Sequence, residues 1–243
     1  MMIFCTLFNS GYLDKGLALL QSLHETAGNS FRLYVIAFDD KCYEILSQYA
    51  DENLIVIMLS EFETPELLEV KKVRTAQEYC WTCSCHAIKY VLEQYGENQC
   101  TYIDADMYFY QNPKVIFDEI DKSGCDVSII EHGFVPCKEN QRLIYFSGKY
   151  CVEFNTFFAT ENGMNILNWW CSKCIECCTS RPDGTFLGDQ KYLDDWLDRF
   201  HGVHVLQNPG AGIAPWNLAK YRYIEKKDNN ILLENKLNGE KSL

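Results

Sequence analysis

The sequence predicts an α/β fold: a Rossmann-like, mostly parallel central sheet with helices on both faces. Three observations carry this expectation. Short, wholly apolar runs alternate with amphipathic stretches from the N-terminus onward, the rhythm of doubly buried strands and crossover helices. The apolar share is 47%, ample for a large core. The 243 residues hold no internal repeat, low-complexity linker or break in composition, so 1–243 read as a single domain.

Taken in order, residues 3–8 are an apolar run ending in polar Asn9-Ser10-Gly11, a buried strand and its loop. Leu17, Leu20 and Leu23 then recur at helical spacing within 14–27. Residues 31–38 form a second strand with an acidic tip, Asp39-Asp40; 41–50 read as helix, and 54–59 as a third buried strand. A charged segment, 61–74, leads into a long helix over 76–95 that stops at Gly96. Residues 100–103 make the next strand and deliver Asp104 at its C-terminal end. Strands over 127–131 and 153–160, helices over 163–178 and 189–200, and a late strand over 203–206 complete the prediction.

The most informative stretch is Tyr102-Ile103-Asp104-Ala105-Asp106-Met107. In a parallel α/β sheet the strand C-termini line the ligand crevice. Side chains at i and i+2 of an extended chain point the same way, so Asp104 and Asp106 can approach one ion together. Mn²⁺ or Mg²⁺ takes one or two such oxygens and completes its shell with phosphate and water.

Composition narrows the field. A formal charge of −12 without any basic run excludes a nucleic-acid surface. An acidic protein that binds an anionic diphosphate needs local compensation, which a bound cation supplies. No stretch approaches the roughly 18 apolar residues of a transmembrane span. With no basic, apolar leader at the N-terminus, the 13 cysteines read as free thiols in a reducing cytosol. The expectation is a cytoplasmic protein, either free or peripheral to a membrane.

Several ordered segments together carry a family resemblance: TLFNSGYLDKG, WTCSCHAIKYVLEQYG, YIDADMYFYQNP, EFNTFFA, LGDQKYLDDW and NPGAGIAPWN. Over nearly its whole length the chain resembles GT-A type nucleotide-diphospho-sugar glycosyltransferases, and is similar to the retaining family 8 type. The resemblance implies transfer of a sugar, with a UDP-sugar favoured, to a saccharide or glycolipid hydroxyl with Mn²⁺ or Mg²⁺ at the diphosphate. It implies a nucleoside held by Thr6, Phe8, Asn9 and Tyr12, and a base or ribose met by Asp39 or Asp40. It implies a basic residue reaching the phosphates, Lys89 or else Arg74. By the same resemblance Asn155 touches the transferred sugar, Asp189 binds its hydroxyls, and Gln190 sits near the anomeric carbon. Backbone amides at Gly210 and its neighbours approach the diphosphate.

The family also supplies a third metal ligand, a His, from this loop or a strand beyond it. This sequence departs there, offering Asn208 in the loop and then a polar tail in which no such strand is predicted. Either the chain stops short of that strand, or Asn208 and water complete the shell around Asp104 and Asp106. His201 and His204 flank Gly202-Val203 and read as structural.

Two other readings stay open. A sugar-phosphate nucleotidyltransferase would share the layout but needs a Gly-rich basic loop after the first strand, where this chain has LFNSGYLDKG. A non-catalytic sugar-nucleotide or metal-binding module is the other. Cys80, Cys83 and Cys85 lie on one predicted helix, and Cys171, Cys174, Cys177 and Cys178 on another. The C-x₂-C-x₂-C run resembles the start of an iron–sulfur ligand set but lacks the fourth ligand and its Pro. Helical apolar spacing suits small buried hydrophobes, and zinc held by a pair from each helix is the alternative.

Overall fold

A computed structural model of the chain describes residues 1–180, 188–227 and 230–242. The strands are β1 (Met2–Phe8), β2 (Phe31–Ala37), β3 (Leu54–Met58), β4 (Gln99–Ile103), β5 (Val127–Glu131), β6 (Tyr150–Phe158) and β7 (Val203–Val205). They form one sheet in the order β3-β2-β1-β4-β6-β5-β7. β1 pairs parallel with β2 and β4, and β2 with β3. β6 runs antiparallel between β4 and β5, while β5 and β7 are parallel. The predicted mostly parallel sheet is therefore present, with one reversed strand through its middle.

β1 shows why its sequence is apolar at every position. Phe4 and Phe8 join one core with Leu19, Leu20 and Leu23 of α1 (Leu13–Ala27) and Phe117 of α6 (Lys114–Ser123). Ile3, Cys5 and Leu7 join the opposite core. That core is built on Cys83, Ile88 and Val91 of α5 (Ala76–Gln94) and Ile166 and Trp170 of α8 (Glu161–Glu176). Alternate side chains of a strand point to opposite faces, so a sheet covered twice needs apolar residues at both parities.

The helix α5 starts where a capping box predicts. Thr75 Oγ1 accepts from Glu78 N at 3.2 Å, and Glu78 returns a bond to Thr75 N at 3.0 Å. Glu78 also accepts from Ser180 N at 2.8 Å, tying the segment after α8 to the start of α5. The Ser180 and Thr75 amides together hold the Glu78 carboxyl down at about 2.

The structure differs from the sequence reading at several elements. The charged segment before α5 contains α3 (Leu59–Phe62) and α4 (Pro65–Lys71), the latter opened by Thr64 as N-cap and Pro65 at its first position. α2 (Asp40–Leu46) is shorter than expected. α6 and α7 (Lys138–Ser147) lie in stretches where no helix was predicted. The helix expected over 189–200 is a 3₁₀ segment, Gln190–Asp195, followed by α9 (Trp196–Arg199). The tail read as polar and strandless folds into β8 (Tyr221–Lys227), β9 (Asn230–Asn235) and β10 (Lys241–Ser242), a separate antiparallel sheet. Its strands alternate poorly between apolar and polar residues because neither face is fully buried, so the pattern signal is weak.

Candidate functional site

The cleft lies at the C-terminal ends of β1, β2 and β4, with a volume of about 770 Å³. Phe8, Asn9, Tyr12, Asp39, Asp104 and Asp106 all face it. Residues more than 90 positions apart in sequence meet there because parallel strands deliver their following loops to the same edge.

Each of the nucleotide-side candidates has a structural reason for its place. Asn9 caps a 3₁₀ turn, Ser10–Tyr12, with Oδ1 accepting from Gly11 N at 3.0 Å. Phe8 is wedged against Gly16, where a Cβ would overlap its ring. Tyr12 is 45% exposed, and Lys15 Nζ stands 4.2 Å over its ring centre. Asp39 accepts from Ser10 N at 2.8 Å and Cys42 N at 2.7 Å, so it caps α2 and anchors the loop after β1 at once. Burial alone would raise its carboxyl, but those two amides outweigh it and hold the group below the usual range.

Asp104 and Asp106 sit in a turn rather than on an extended strand, because Met107 N donates back to Asp104 O at 3.1 Å. The i, i+2 argument from strand geometry therefore does not apply as it stood. What the turn does is split the pair: Asp104 stays against the sheet, while Asp106 is 51% exposed and pairs with Lys15 at 3.5 Å. Burial, then the Asp106 charge, pushes the Asp104 carboxyl up to about 6.

Two further carboxylates complete an acidic cluster. Glu153 lies on β6 next to Asp104, whose amide donates to Glu153 O at 3.2 Å. It is 6% exposed and its Oε1 has no hydrogen-bond partner among the described residues. Burial first, then Asp104 and Asp106, pushes it up to about 8. Asp189 is also buried, accepts from Ser84 of α5, and is pushed up to about 7, chiefly by burial and partly by Asp104. Although Asp189 directly precedes the 3₁₀ segment Gln190–Asp195, its side chain makes no cap bond to it.

Other candidates occupy different places. Thr6 is fully buried on β1, with Oγ1 unpartnered among the described residues. Asn155 is fully buried on β6, its amide nitrogen placed to donate to Phe154 O at 3.0 Å and Cys151 O at 3.3 Å. Gln190 Nε2 donates to Ser147 O at 2.8 Å, bracing the end of α7. Lys89 pairs with Glu93 one turn along α5, at 3.8 Å, and does not line the cleft. Arg74 does line it, held by Thr82 and by Ile175 O at 2.6 Å. Asn208 is engaged in its own loop: Oδ1 accepts from Gly210 N at 2.9 Å, and its amide donates to Glu119 Oε2 at 2.9 Å. His204 Nε2 meets Glu119 Oε1 at 2.8 Å, the structural role expected of it. Leu187, which opens the LGDQKYLDDW segment, lies outside the described residues.

Sequence reasoning did not single out Glu153, Ser84 or Trp81. A charged residue inside the apolar run of β6 was the available signal for Glu153, because a buried carboxylate is tolerated only with a partner or a purpose. Trp81 had none: its indole lines the cleft and packs on Gly188, a contact between distant segments.

No family model matches the chain. Among solved structures, mouse xyloside xylosyltransferase 1 in its apo form superposes with a TM-score of 0.55 at 14% identity, covering 84% of each chain. The galactosyltransferase LgtC, solved with donor and acceptor sugar analogues, gives 0.56 at 11%, covering 84% of this chain and 73% of that one. Identities this low speak to fold alone, and the fold is GT-A type. Two uncharacterized proteins of Bacillus subtilis (strain 168) are similar in sequence. YfnD is 30% identical over 238 residues, 95% of this chain and 73% of its own length; YfnF is 30% identical over 236 residues, 95% and 77%. The chain belongs to the same family as YfnD and YfnF.

Proposed function

We propose that this protein is a glycosyltransferase that moves a sugar from a nucleoside diphosphate sugar, most simply a UDP-sugar, to a hydroxyl of a saccharide or glycolipid acceptor, with retention of anomeric configuration. The observation that carries the reading is the cleft itself. Tyr12, Phe8 and Asp39 line it together with the Asp104–Asp106 turn, around a volume of about 770 Å³. Aromatic faces suit a base, and a carboxylate suits ribose hydroxyls.

The residues present fit a divalent cation. Asp104 feels the charge of Asp106, Glu153 and Asp189 feel that of Asp104, and a buried Glu153 oxygen has no partner among the described residues. Such a cluster lacks positive charge, and Lys15 at 3.5 Å from Asp106 is a weak, exposed substitute. Asp104 and Asp106 would hold Mn²⁺ or Mg²⁺, whose chemistry is to neutralise the diphosphate leaving group. Asn208, engaged with Gly210 and Glu119, would need to leave its loop to join them.

The chain's own groups do the rest. Arg74 adds positive charge on the α5 side of the cleft. Asp189, near neutral pH in its ionisation and fixed by Ser84, accepts hydrogen bonds from sugar hydroxyls. Trp81 gives the sugar an apolar floor beside Asp189. Positioning matters more than a strong base, because the transition state has oxocarbenium character. The test is a thermal-shift panel of UDP-, GDP- and dTDP-sugars with and without Mn²⁺. A UDP-dependent, Mn²⁺-dependent shift that disappears in Asp106→Ala is expected. No shift with any nucleotide would sink the reading.

A further inference from the structure

One residue beyond Ser84 on α5, a different set of ligands gathers. Cys85 and His86 of α5 and Cys171 of α8 place their Sγ, imidazole nitrogen and Sγ all within 4.8 Å of one another. They are the one such trio of His, Cys, Asp or Glu among the described residues. Cys85 is fully buried and Cys171 is 4% exposed. Burial drives both thiols well above their usual range, so they rest protonated and uncharged. Cys174 lies one turn beyond Cys171, hence on the same face of α8, and its thiol meets that of Cys85.

The independent observation is His86. Its Nε2 is buried and has no hydrogen-bond partner among the described residues. An unpartnered buried imidazole nitrogen costs about 1–3 kcal/mol. The Cys171 thiol interacts with the imidazole but, as a weak donor, offsets only part of that cost, and a disulfide between Cys85 and Cys171 would remove even that. A metal ion removes it, because the nitrogen then has a partner.

We propose that Cys85, His86 and Cys171 bind one Zn²⁺, clamping α5 to α8, with Cys174 placed to complete the tetrahedron. Thiolate sulfur and imidazole nitrogen are the ligands zinc prefers, whereas Mg²⁺ and Mn²⁺ prefer oxygen. Two thiolates and a neutral imidazole cancel the charge of the ion, and Cys174 as a third thiolate would give the Cys₃His set of structural zinc sites. On binding, each ligating S–H bond breaks, a Zn–S bond forms, and one proton leaves to solvent, with no change of oxidation state. Affinity therefore rises with pH.

The experiment uses the full chain, reduced and stripped of metal with a chelator, and titrated with Co²⁺. One equivalent should produce thiolate-to-cobalt charge-transfer absorption, and Zn²⁺ should displace it with release of at least two protons. Cys171→Ser should weaken binding by more than the about 10–100-fold that loss of a group merely orienting a ligand costs. Should that variant fail to fold, His86→Gln, at a half-buried position, gives the same reading. Asp106→Ala must leave the absorption intact, which separates this site from the donor site. Folded, reduced protein that takes up Co²⁺ without the absorption, or absorption unchanged in both variants, overturns the proposal.

Discussion

Two polar clusters meet the helix α5 one residue apart, and burial treats them differently. Ser84 holds Asp189, on which the charge of Asp104 acts, and Asp104 in turn feels Asp106, which lines the cleft, and acts on buried Glu153. Cys85 opens the sealed group with His86 and Cys171. Burial raises the proton affinity of both sets. The carboxyls end at about 6, 7 and 8, within reach of physiological pH, because they rise from the low values usual for carboxylates. The thiols go well beyond that range and remain neutral until something takes their protons. An acidic cluster that titrates near neutrality can thus respond to a charged ligand reversibly, while a thiol cluster that stays neutral acts as structure.

The comparison breaks first at Asp104. Asp104→Asn removes a charge that a cation and diphosphate need, so donor turnover should fall by about 100-fold or more, on the scale of other lost transition-state electrostatics. The same change relieves repulsion with Asp106 and Glu153, so the variant should melt higher than wild type at alkaline pH. A loss of both activity and stability would mean that Asp104 is a structural residue instead.

How much of this was legible in the sequence follows the same division. The half-sheet β3-β2-β1-β4 was readable because parallel strands buried on both faces produce unbroken apolar runs. The candidate residues at or just after the ends of those runs, Phe8, Asn9, Tyr12, Asp39 and Asp104, line the cleft for the same reason. Beyond β4 the signal thins. β6 reverses direction, and nothing local in a strand encodes which neighbour it will pair with. Gln190 and Asn208 carry side chains suited to a ligand, yet Ser147 O and Gly210 N claim them, and such partners arise only from tertiary contact. The thiol trio joins residues 85 and 86 to residue 171, a meeting that spacing within either helix could only suggest.

A second and smaller effect sharpens the acidic side. Glu153 holds its proton to about 8 in the folded chain, against a usual value near 4.5. The folded state therefore binds more protons than the unfolded chain across that window, so stability falls as pH rises from about 4.5 to 8. Glu153→Gln removes this slope. It should be more stable than wild type by roughly 2–4 kcal/mol at about pH 8.5, and close to it at about pH 4. Urea unfolding at the two pH values measures it, and equal differences at both would remove Glu153 from the cluster. Mn²⁺ should narrow the gap at high pH by neutralising the wild-type carboxylates.

The smallest effect concerns the helix that both clusters share. Thr75 and Glu78 cap α5, and Thr75→Ala should cost about 1 kcal/mol. Residues 84 to 86 lie more than two turns inside the helix, so loosening its first turn should not move either cluster by much. Arg74, which lines the cleft, directly precedes Thr75 and does depend on that turn. Thr75→Ala should then raise the KM for the donor a few-fold while leaving the cobalt absorption of the thiol site unchanged. A parallel loss at both sites would show that α5 moves as one rigid rod, joining two clusters that burial otherwise keeps apart.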